Sequence, residues 1–187
     1  VSDYFLSKTK AERAAWDFME SKGLKNKLTS INPGGVFGDA LDKKGGTSIE
    51  YVRQFMKGKF PGAPKFAVLI SDVKDIAKAH VACIGNNKVG GRRLIIGKEV
   101  KKLVELSQLM AEAMPEYAKK LPKKELPNFM VKLISYLDSS AKTMIPDLGI
   151  MMRTDTSYAE ELLGFKFKPA KDCIAENAKS VVRLGLV

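Results

Sequence analysis

The sequence has few of the residues that a metal site or a disulfide framework requires. Its 187 residues include two cysteines, Cys83 and Cys173, and a single histidine, His80. Their spacing does not match that of zinc ligands. Two cysteines and one histidine are also too few to form a zinc site. We expect both cysteines to be reduced core residues, which is typical of the cytoplasm or of another reducing compartment.

Long apolar runs and phosphate-loop motifs are also absent. No run approaches the ~20 apolar residues that cross a bilayer, and no signal peptide is visible at the start of the sequence. Neither Gly-x-Gly-x-x-Gly nor Gly-x-x-x-x-Gly-Lys-Ser/Thr occurs. The sequence therefore predicts no membrane span and contains no recognisable phosphate cradle.

The composition is that of a globular domain with an excess of positive charge. Hydrophobic residues make up 45% and charged residues 28% of the chain, and the net charge is +11. The densest basic cluster, Lys119, Lys120, Lys123 and Lys124 around Pro122, is predicted to be an exposed loop. Because the other basic residues are spread along the chain, we expect no nucleic-acid partner. A positive field would also attract a phosphorylated cofactor.

The first stretch is predicted to be a helix with one buried face. Its apolar residues recur at i, i+3, i+4, i+7 and i+8, the spacing of such a face. These residues are Ala11, Ala14, Ala15, Phe18 and Met19.

The same helix carries a tyrosine–lysine pair. Tyr4 and Lys8 are four residues apart, so they project from one side of the helix. An ammonium beside a phenol favours the phenolate and lowers the pKa of the phenol from its reference near ~10. Such a tyrosine can pass a proton to a carbonyl oxygen while hydride reaches the carbonyl carbon. By itself the spacing more often reflects an ordinary half-buried tyrosine beside a solvated lysine.

The remaining chain alternates between predicted strands and helices. Residues 27–32 form a predicted strand that ends at Pro33-Gly34-Gly35, and α/β folds place ligand-binding backbone after such strands. A helix is predicted over 48–56 with Ser48 as its N-cap, and another opens at Asp72. The other predicted elements are strands at 65–70 and 93–96, a short edge segment at 164–169, and helices at 99–117, 127–141 and 170–183. This order indicates a mixed α/β fold.

Several ordered motifs resemble one family, the extended short-chain dehydrogenases/reductases, and within it the dihydroflavonol-reductase and aldehyde/ketone-reductase branch. The motif Tyr4-x-x-x-Lys8, followed by Ala11-Glu12 and Ala15-Trp16, is similar to the catalytic helix of that family. Ile31-Asn32-Pro33-x-x-Val36-x-Gly38 is similar to its strand and loop at the nicotinamide. The further matches are Asp72-Val73-x-Asp75-Ile76-Ala77-x-Ala79-His80, Gly91-Arg92-Arg93 and Leu163-Gly164-Phe165. Together they extend over nearly the whole chain.

The resemblance implies the C-terminal part of a Rossmann-type, NAD(P)-binding α/β fold with a small, mostly helical substrate domain. Residues 1–38 and 66–97 would form the Rossmann-type part. Residues 39–65 and 98–187 would form the substrate-binding part.

The resemblance also implies a role for each matching site residue. Tyr4 would be the general acid in reduction, and Lys8 would lower its pKa and hydrogen-bond the nicotinamide ribose. Ser48 would lie near the cofactor. The nicotinamide carboxamide would be held by the backbone of Pro33, Gly34, Gly35 and Val36.

Other polar residues of these motifs receive structural interpretations. Asp72 and Asp75 are expected to cap and anchor their helix, and His80 is expected to be a packed or hydrogen-bonded helix residue. Asp39 stands where the family usually has a proline, so we expect the loop after Gly38 to differ in shape.

The glycine-rich loop and the catalytic serine of the family lie upstream of the tyrosine, and only three residues precede Tyr4. We therefore expect an N-terminal half on the same or on a separate chain. Without it, the 187-residue chain should be inactive and should leave a sheet edge free for an oligomer or a larger assembly.

The favoured function is an NAD(P)H-dependent oxidoreductase that reduces a small aldehyde or ketone. We expect NADP(H) rather than NAD(H), because the positive charge favours the phosphorylated cofactor. Two alternatives remain open: a non-catalytic, reductase-derived structural subunit, and an NAD-dependent sugar-nucleotide epimerase or dehydratase.

Overall fold

A computed structural model describes residues 3–44, 46–136 and 145–187. The helices of this part are α1 (Asp3–Ser21), α2 (Thr47–Met56), α3 (Val73–Cys83), α4 (Leu103–Ala113), α5 (Asn128–Ile134), α6 (Ser157–Leu163) and α7 (Ala170–Arg183), with 3₁₀ turns at Lys25–Lys27, Pro115–Tyr117 and Ile145–Asp147. The strands are β1 (Thr29–Pro33), β2 (Gly35–Phe37), β3 (Ala63–Pro64), β4 (Ala67–Asp72), β5 (Arg92–Ile96), β6 (Glu99–Lys102) and β7 (Glu125–Leu126).

The described strands pair in three small sheets. β1 and β5 are parallel, with Thr29 opposite Arg92. β2 is parallel to β4, and β4 is antiparallel to β6, with Ile70 opposite Glu99. β3 and β7 form a short parallel pair. Parallel pairs with helices in the connections are the arrangement of α/β proteins, as the order of predicted elements indicated.

Two segments of the chain cross from the first sheet to the second. β1 continues through Gly34 into β2, and β5 continues through Gly97 into β6. The fully buried Ser71 of β4 lies between these two segments and bonds to both. Its hydroxyl accepts a hydrogen bond from the Gly34 N–H at 2.8 Å and donates one to the Ile96 carbonyl at 2.6 Å. This serine therefore fixes the turn that follows β1.

The larger hydrophobic core lies between β4 and the helices α2, α4 and α7. The two longest of these helices pack against each other, and α2 packs on α7. Fully buried core residues include Phe55, Leu106, Met110, Ile174 and Val181. α7 has the bounds predicted from its sequence pattern, and its buried face contributes the last two of these residues.

A smaller core joins α3, β5 and α6. Ala79 and Leu94 pack there with Ala159 and Leu163 of α6, a helix that the sequence pattern did not predict. The last two residues belong to the predicted substrate-binding part, although they pack on residues of the predicted Rossmann-type part. The division of the chain into these two parts stays a prediction.

The prediction that α1 buries one apolar face is wrong for the described structure. α1 has no fully buried residue, and Phe18 is 60% exposed. The half-buried positions are instead Glu12, Trp16 and Met19, which form the face toward the sheet. Of the predicted apolar stripe, Met19 is half-buried on this face, whereas Ala11, Ala14, Ala15 and Phe18 are exposed.

Other predicted boundaries also need correction. The helix predicted over 99–117 begins at Leu103, because Glu99–Lys102 pairs with β4 as strand β6. Ser48 is not the N-cap of α2: the cap is Gly46, and the helix begins at Thr47. The segment 164–169 contains no strand. The helix predicted over 127–141 is α5, which ends at Ile134, and residues 137–141 lie outside the described part.

The two cysteines pack in the hydrophobic cores, as expected from the sequence. Both cysteines are free: Cys173 is buried in α7, and Cys83 is half-buried at the end of α3. Burial raises the pKa of both thiols. Within the described ranges, no helix combines the length and apolar character that a membrane crossing demands.

Candidate active site

Tyr4 and Lys8 lie side by side on the first turns of α1. The Lys8 Nζ is 5.7 Å from the centroid of the Tyr4 ring, so the two side chains share one side of the helix, as their spacing predicts. The Ser7 hydroxyl donates a hydrogen bond to the Tyr4 carbonyl at 2.8 Å. Tyr4 is 65% exposed. The pair is therefore accessible to a molecule bound against this end of α1.

Glu12 attaches α1 to the β1–β5 sheet. Its carboxylate accepts hydrogen bonds from Arg93 Nε at 2.5 Å and from Arg93 Nη2 at 2.8 Å. The Trp16 indole N–H donates to the same carboxylate at 3.2 Å. The Arg93 bonds, supported by the Ser30 hydroxyl and by Trp16, lower the pKa of Glu12 to about 2 against the effect of burial. Because Arg93 lies in β5 and Ser30 in β1, one carboxylate fixes α1 over both strands.

This attachment determines at which end of the sheet the tyrosine lies. Only residues 22–28 connect α1 to β1, and Glu12 contacts Ser30, so α1 runs antiparallel to β1. Tyr4 lies two helical turns from Glu12, about 12 Å along the axis. Pro33 lies about 10 Å from Ser30 along the strand in the same direction. The tyrosine–lysine pair therefore lies toward the carboxyl end of β1, where the turn at 33–36 begins.

The turn at 33–36 is packed closely against β4. A Cβ added to Gly34 would lie 2.3 Å from the Leu69 carbonyl oxygen, and one added to Gly35 would lie 2.8 Å from Val68 Cγ2. The Gly34 N–H is already bonded to Ser71. The exposed residues of the turn are Pro33 and Val36. The glycines therefore shape the turn, and its exposed surface comes from the residues on either side of them.

A hollow of about 180 Å³ opens beside Val36 and is bordered by Gly38, Asp39 and Asn177. α7 holds this loop in place. Asn177 Nδ2 donates to the Gly38 carbonyl at 2.6 Å, and Arg183 Nη2 donates to Asp39 Oδ1 at 2.7 Å. Asp39, which stands where the resembled family usually has a proline, is therefore part of an ion pair with Arg183. The hollow lies next to the turn that follows β1, and its shape depends on α7.

The remaining predicted residues lie in helices around this site. Ser48 is half-buried in the first turn of α2, and the next residue, Ile49, lines the hollow. Asp72 is the N-cap of α3, as predicted, and accepts hydrogen bonds from the N–H groups of Lys74 and Asp75. His80 is exposed, and its Nδ1 lies 2.8 Å from the carbonyl of the preceding turn, in agreement with a structural role.

The N-cap aspartate is also part of a charged cluster that was not predicted. Lys168 Nζ lies 3.0 Å from Asp72 Oδ2 and 2.8 Å from Glu176 Oε2. Burial lowers the pKa of Lys168, but the hydrogen bonds and charges of these two carboxylates outweigh burial and raise it. The lysine thereby connects α7 and the segment before it to the start of α3.

No side-chain cluster in the described residues has the composition of a metal site. Groups of three or more histidine, cysteine, aspartate or glutamate side chains suited to a metal ion are absent from these ranges.

Parallel strand pairs connected through helices, with a tyrosine–lysine pair toward the carboxyl end of β1, place the chain in the class of Rossmann-type α/β folds. No protein-family model matches the chain. The chain is 29% identical over 194 residues to the NADPH-dependent methylglyoxal reductase of Saccharomyces cerevisiae, covering 98% of this chain and 52% of the relative. It is 26% identical over 182 residues to cinnamoyl-CoA reductase 1 of Petunia hybrida, covering 97% and 48%.

The fold agrees with that of solved reductases. The crystal structure of the yeast methylglyoxal/isovaleraldehyde reductase, complexed with NADPH, is similar with a TM-score of 0.71 and 27% identity. The match covers 95% of this chain and 54% of that chain. The Rossmann-type fold and the resemblance noted in the sequence are thus confirmed: the homologues are reductases of the extended short-chain dehydrogenase/reductase family. The chain spans about half the length of the curated relatives it matches.

Proposed function

We propose that the complete protein containing this chain is an NADPH-dependent reductase of a small aldehyde or ketone. The observation that carries the proposal is the exposed Tyr4–Lys8 pair toward the carboxyl end of β1, in a chain whose relatives are reductases. The hollow beside Val36 supports the assignment, because it borders the turn that follows the same end of β1 and a substrate needs a concave surface.

Tyr4 is the proposed catalytic acid. Its hydroxyl donates a proton to the carbonyl oxygen of the substrate, and NADPH, when bound, supplies the hydride that reaches the carbonyl carbon. The ammonium of Lys8 stabilises the phenolate that remains after proton transfer. Lys8 would also hold the nicotinamide ribose through a hydrogen bond. Exposure of both side chains on one side of α1 supports these roles.

The proposed nicotinamide site uses the turn after β1. Pro33 and Val36 offer its exposed surface, and Gly34 and Gly35 keep the turn close to β4. The backbone of these four residues would hold the carboxamide, and Ser48 would border the cofactor from α2. The turn is therefore proposed to hold the nicotinamide end of the cofactor. The diphosphate would be held by another part of the protein, since this sequence contains no phosphate-loop motif.

The proposal includes an N-terminal half, which is supported by the match of this chain to only about half the length of its relatives. The glycine-rich loop and the serine of the family would belong to an N-terminal half, on the same or on a separate chain. That half, or an oligomer partner, would cover the exposed face of α1. The 187-residue chain alone would then be inactive, and the complete protein would act in a reducing compartment such as the cytoplasm.

The fold does not by itself distinguish a reductase from an epimerase, because one scaffold supports many chemistries. The reductase names of the sequence relatives do not favour the epimerase, dehydratase and structural-subunit alternatives.

The test is substitution of Tyr4 by phenylalanine in the complete protein, with isovaleraldehyde as the probe substrate. We expect kcat to fall about 10²- to 10⁴-fold, the typical contribution of a positioned general acid, while the Kd for NADPH changes less than about twofold. Tyr136, also exposed, provides the control: Tyr136→Phe should retain the wild-type rate. Wild-type turnover by the Tyr4 variant would contradict the assignment.

A further inference from the structure

A second concave surface lies away from the tyrosine–lysine pair. This lysine hollow has a volume of about 590 Å³ and lies between the loop after α2 and the segment that precedes β7. Its lysines are Lys57, Lys119, Lys120, Lys123 and Lys124. None of the site residues proposed above borders it. Five lysines that line one hollow are a concentrated positive charge within a chain of net charge +11.

The backbone that carries these lysines is held from several sides. The Lys124 carbonyl accepts a hydrogen bond from the Ala63 N–H at 2.8 Å, next to the β3–β7 pair. The buried Ser107 hydroxyl of α4 donates to the Pro122 carbonyl at 2.7 Å. Leu121, between the lysines, is buried in the larger core. The segment predicted to be an exposed loop thus has exposed lysines on an anchored backbone.

The positive charge of the hollow is not neutralised by the described residues. Within residues 3–44, 46–136 and 145–187, no ion pair involves any of the five lysines. The acidic residue that follows Lys124 is Glu125, and its carboxylate lies 3.4 Å from Lys102. Lys120 Nζ lies 5.7 Å from the Tyr117 ring centroid. A bound anion would relieve the mutual repulsion of these ammonium groups.

We propose that the lysine hollow binds a small ligand with several phosphate groups. Lysine ammonium groups are compact point charges that bind phosphate oxygens from several directions. Five of them match a ligand with more than one phosphate, and the volume of the hollow lies in the range of small-molecule sites. The ligand is either free in solution or the headgroup of a phosphoinositide, since both present the same phosphate groups.

The test measures binding of inositol hexakisphosphate to the full natural polypeptide by titration calorimetry at physiological salt. The variant Lys123→Gln/Lys124→Gln removes two charges from the hollow. The control Lys88→Gln/Lys179→Gln removes two exposed lysines elsewhere. Both variants lower the net charge of these 187 residues from +11 to +9, because two lysines fewer leave 30 basic against 21 acidic residues. These positions are exposed, so both variants should fold, which circular dichroism can verify.

We expect the hollow variant to bind at least about tenfold more weakly and the control to bind within about twofold of the wild type. An equal loss in both variants would mean that only net charge attracts the probe, and it would overturn the proposal. A wild type that binds neither the free probe nor vesicles containing phosphatidylinositol bisphosphate would also overturn it. A parallel sedimentation assay uses vesicles containing phosphatidylinositol bisphosphate. Loss of vesicle binding in the hollow variant alone, without binding of the free probe, would assign the site to a lipid headgroup.

Discussion

Lys8 can act on Tyr4 only if the first turns of α1 hold the two side chains together. We predict that Lys8→Ala in the complete protein lowers kcat by about 10²-fold or more and also raises the Kd for NADPH, because one ammonium serves both the phenolate and the ribose. Steady-state kinetics and a fluorescence titration with NADPH measure the two effects. Lys10→Ala removes an exposed lysine from the same helix and should change neither. Unchanged rate and affinity in the Lys8 variant would refute its proposed role.

Gly34 lies where the turn leaves no room for a side chain. Gly34→Ala places a Cβ 2.3 Å from a backbone oxygen of β4, so the turn must move away from β4. We predict a loss of about 1–3 kcal/mol in the free energy of unfolding, the usual cost of overpacking. Chemical denaturation measures it.

The control for this prediction is Gly46→Ala, where an added Cβ meets nothing within 4 Å. It should cost less than about 1 kcal/mol, since Gly46 is only the N-cap of α2. Equal stability of the Gly34 variant and the wild type would contradict the close approach of the turn to β4.

The contacts of individual residues could be predicted from the sequence where the two partners are close together in the chain. The four-residue spacing of Tyr4 and Lys8 and the aspartate that caps α3 were readable for that reason. The partnership of Glu12 and Arg93 was not, because 81 residues separate them and no local pattern relates the two. The roles of Ser71 and Asn177 likewise depend on tertiary contacts.

The element that positions the candidate site is α1, and its attachment to the sheet should depend on pH. The pKa of Glu12 is about 2 in the folded protein, below its ordinary value of 4.5. A lowered folded pKa means that the carboxylate contributes fully above pH 4.5 and loses its contribution as the pH falls toward 2. Because Arg93 is 58% exposed at its side chain, we expect about 1 kcal/mol or less.

Trp16 is the one tryptophan of the sequence and donates to Glu12, so its fluorescence reports this attachment. We predict that its emission shifts as the pH falls from 4.5 to 2, and that Glu12→Gln removes this transition. Glu20→Gln alters an exposed ion pair of the same helix and should leave the transition intact. A transition that persists in the Glu12 variant would show that another group causes it.

Elements were predictable where local pattern and tertiary pairing agree. α7 has a strong apolar period, and its predicted bounds were correct. Residues Glu99–Lys102 have helix-compatible composition, yet pairing with β4 makes them a strand. α1 shows the converse: its apolar period is real, but most of the residues in that period are exposed in the described structure.

In the whole molecule, two hydrophobic cores hold the elements of the candidate site in place. The larger core supports α7, which holds the hollow beside Val36, and the smaller core supports β5, which holds α1 through Arg93. The candidate site therefore depends on both. The sequence could not locate the lysine hollow, since its lysines come from segments about 60 residues apart that meet only in the fold.

The most direct test of the proposed activity follows the hydride. The complete protein is incubated with isovaleraldehyde and NADPH that carries deuterium in place of both hydrogens at C4 of the nicotinamide, and the product alcohol is analysed by mass spectrometry. We predict an alcohol one mass unit heavier than the product formed with unlabelled NADPH, at a rate that Tyr4→Phe reduces about 10²-fold or more. Absence of labelled alcohol with the wild-type protein would contradict the assignment of carbonyl reduction.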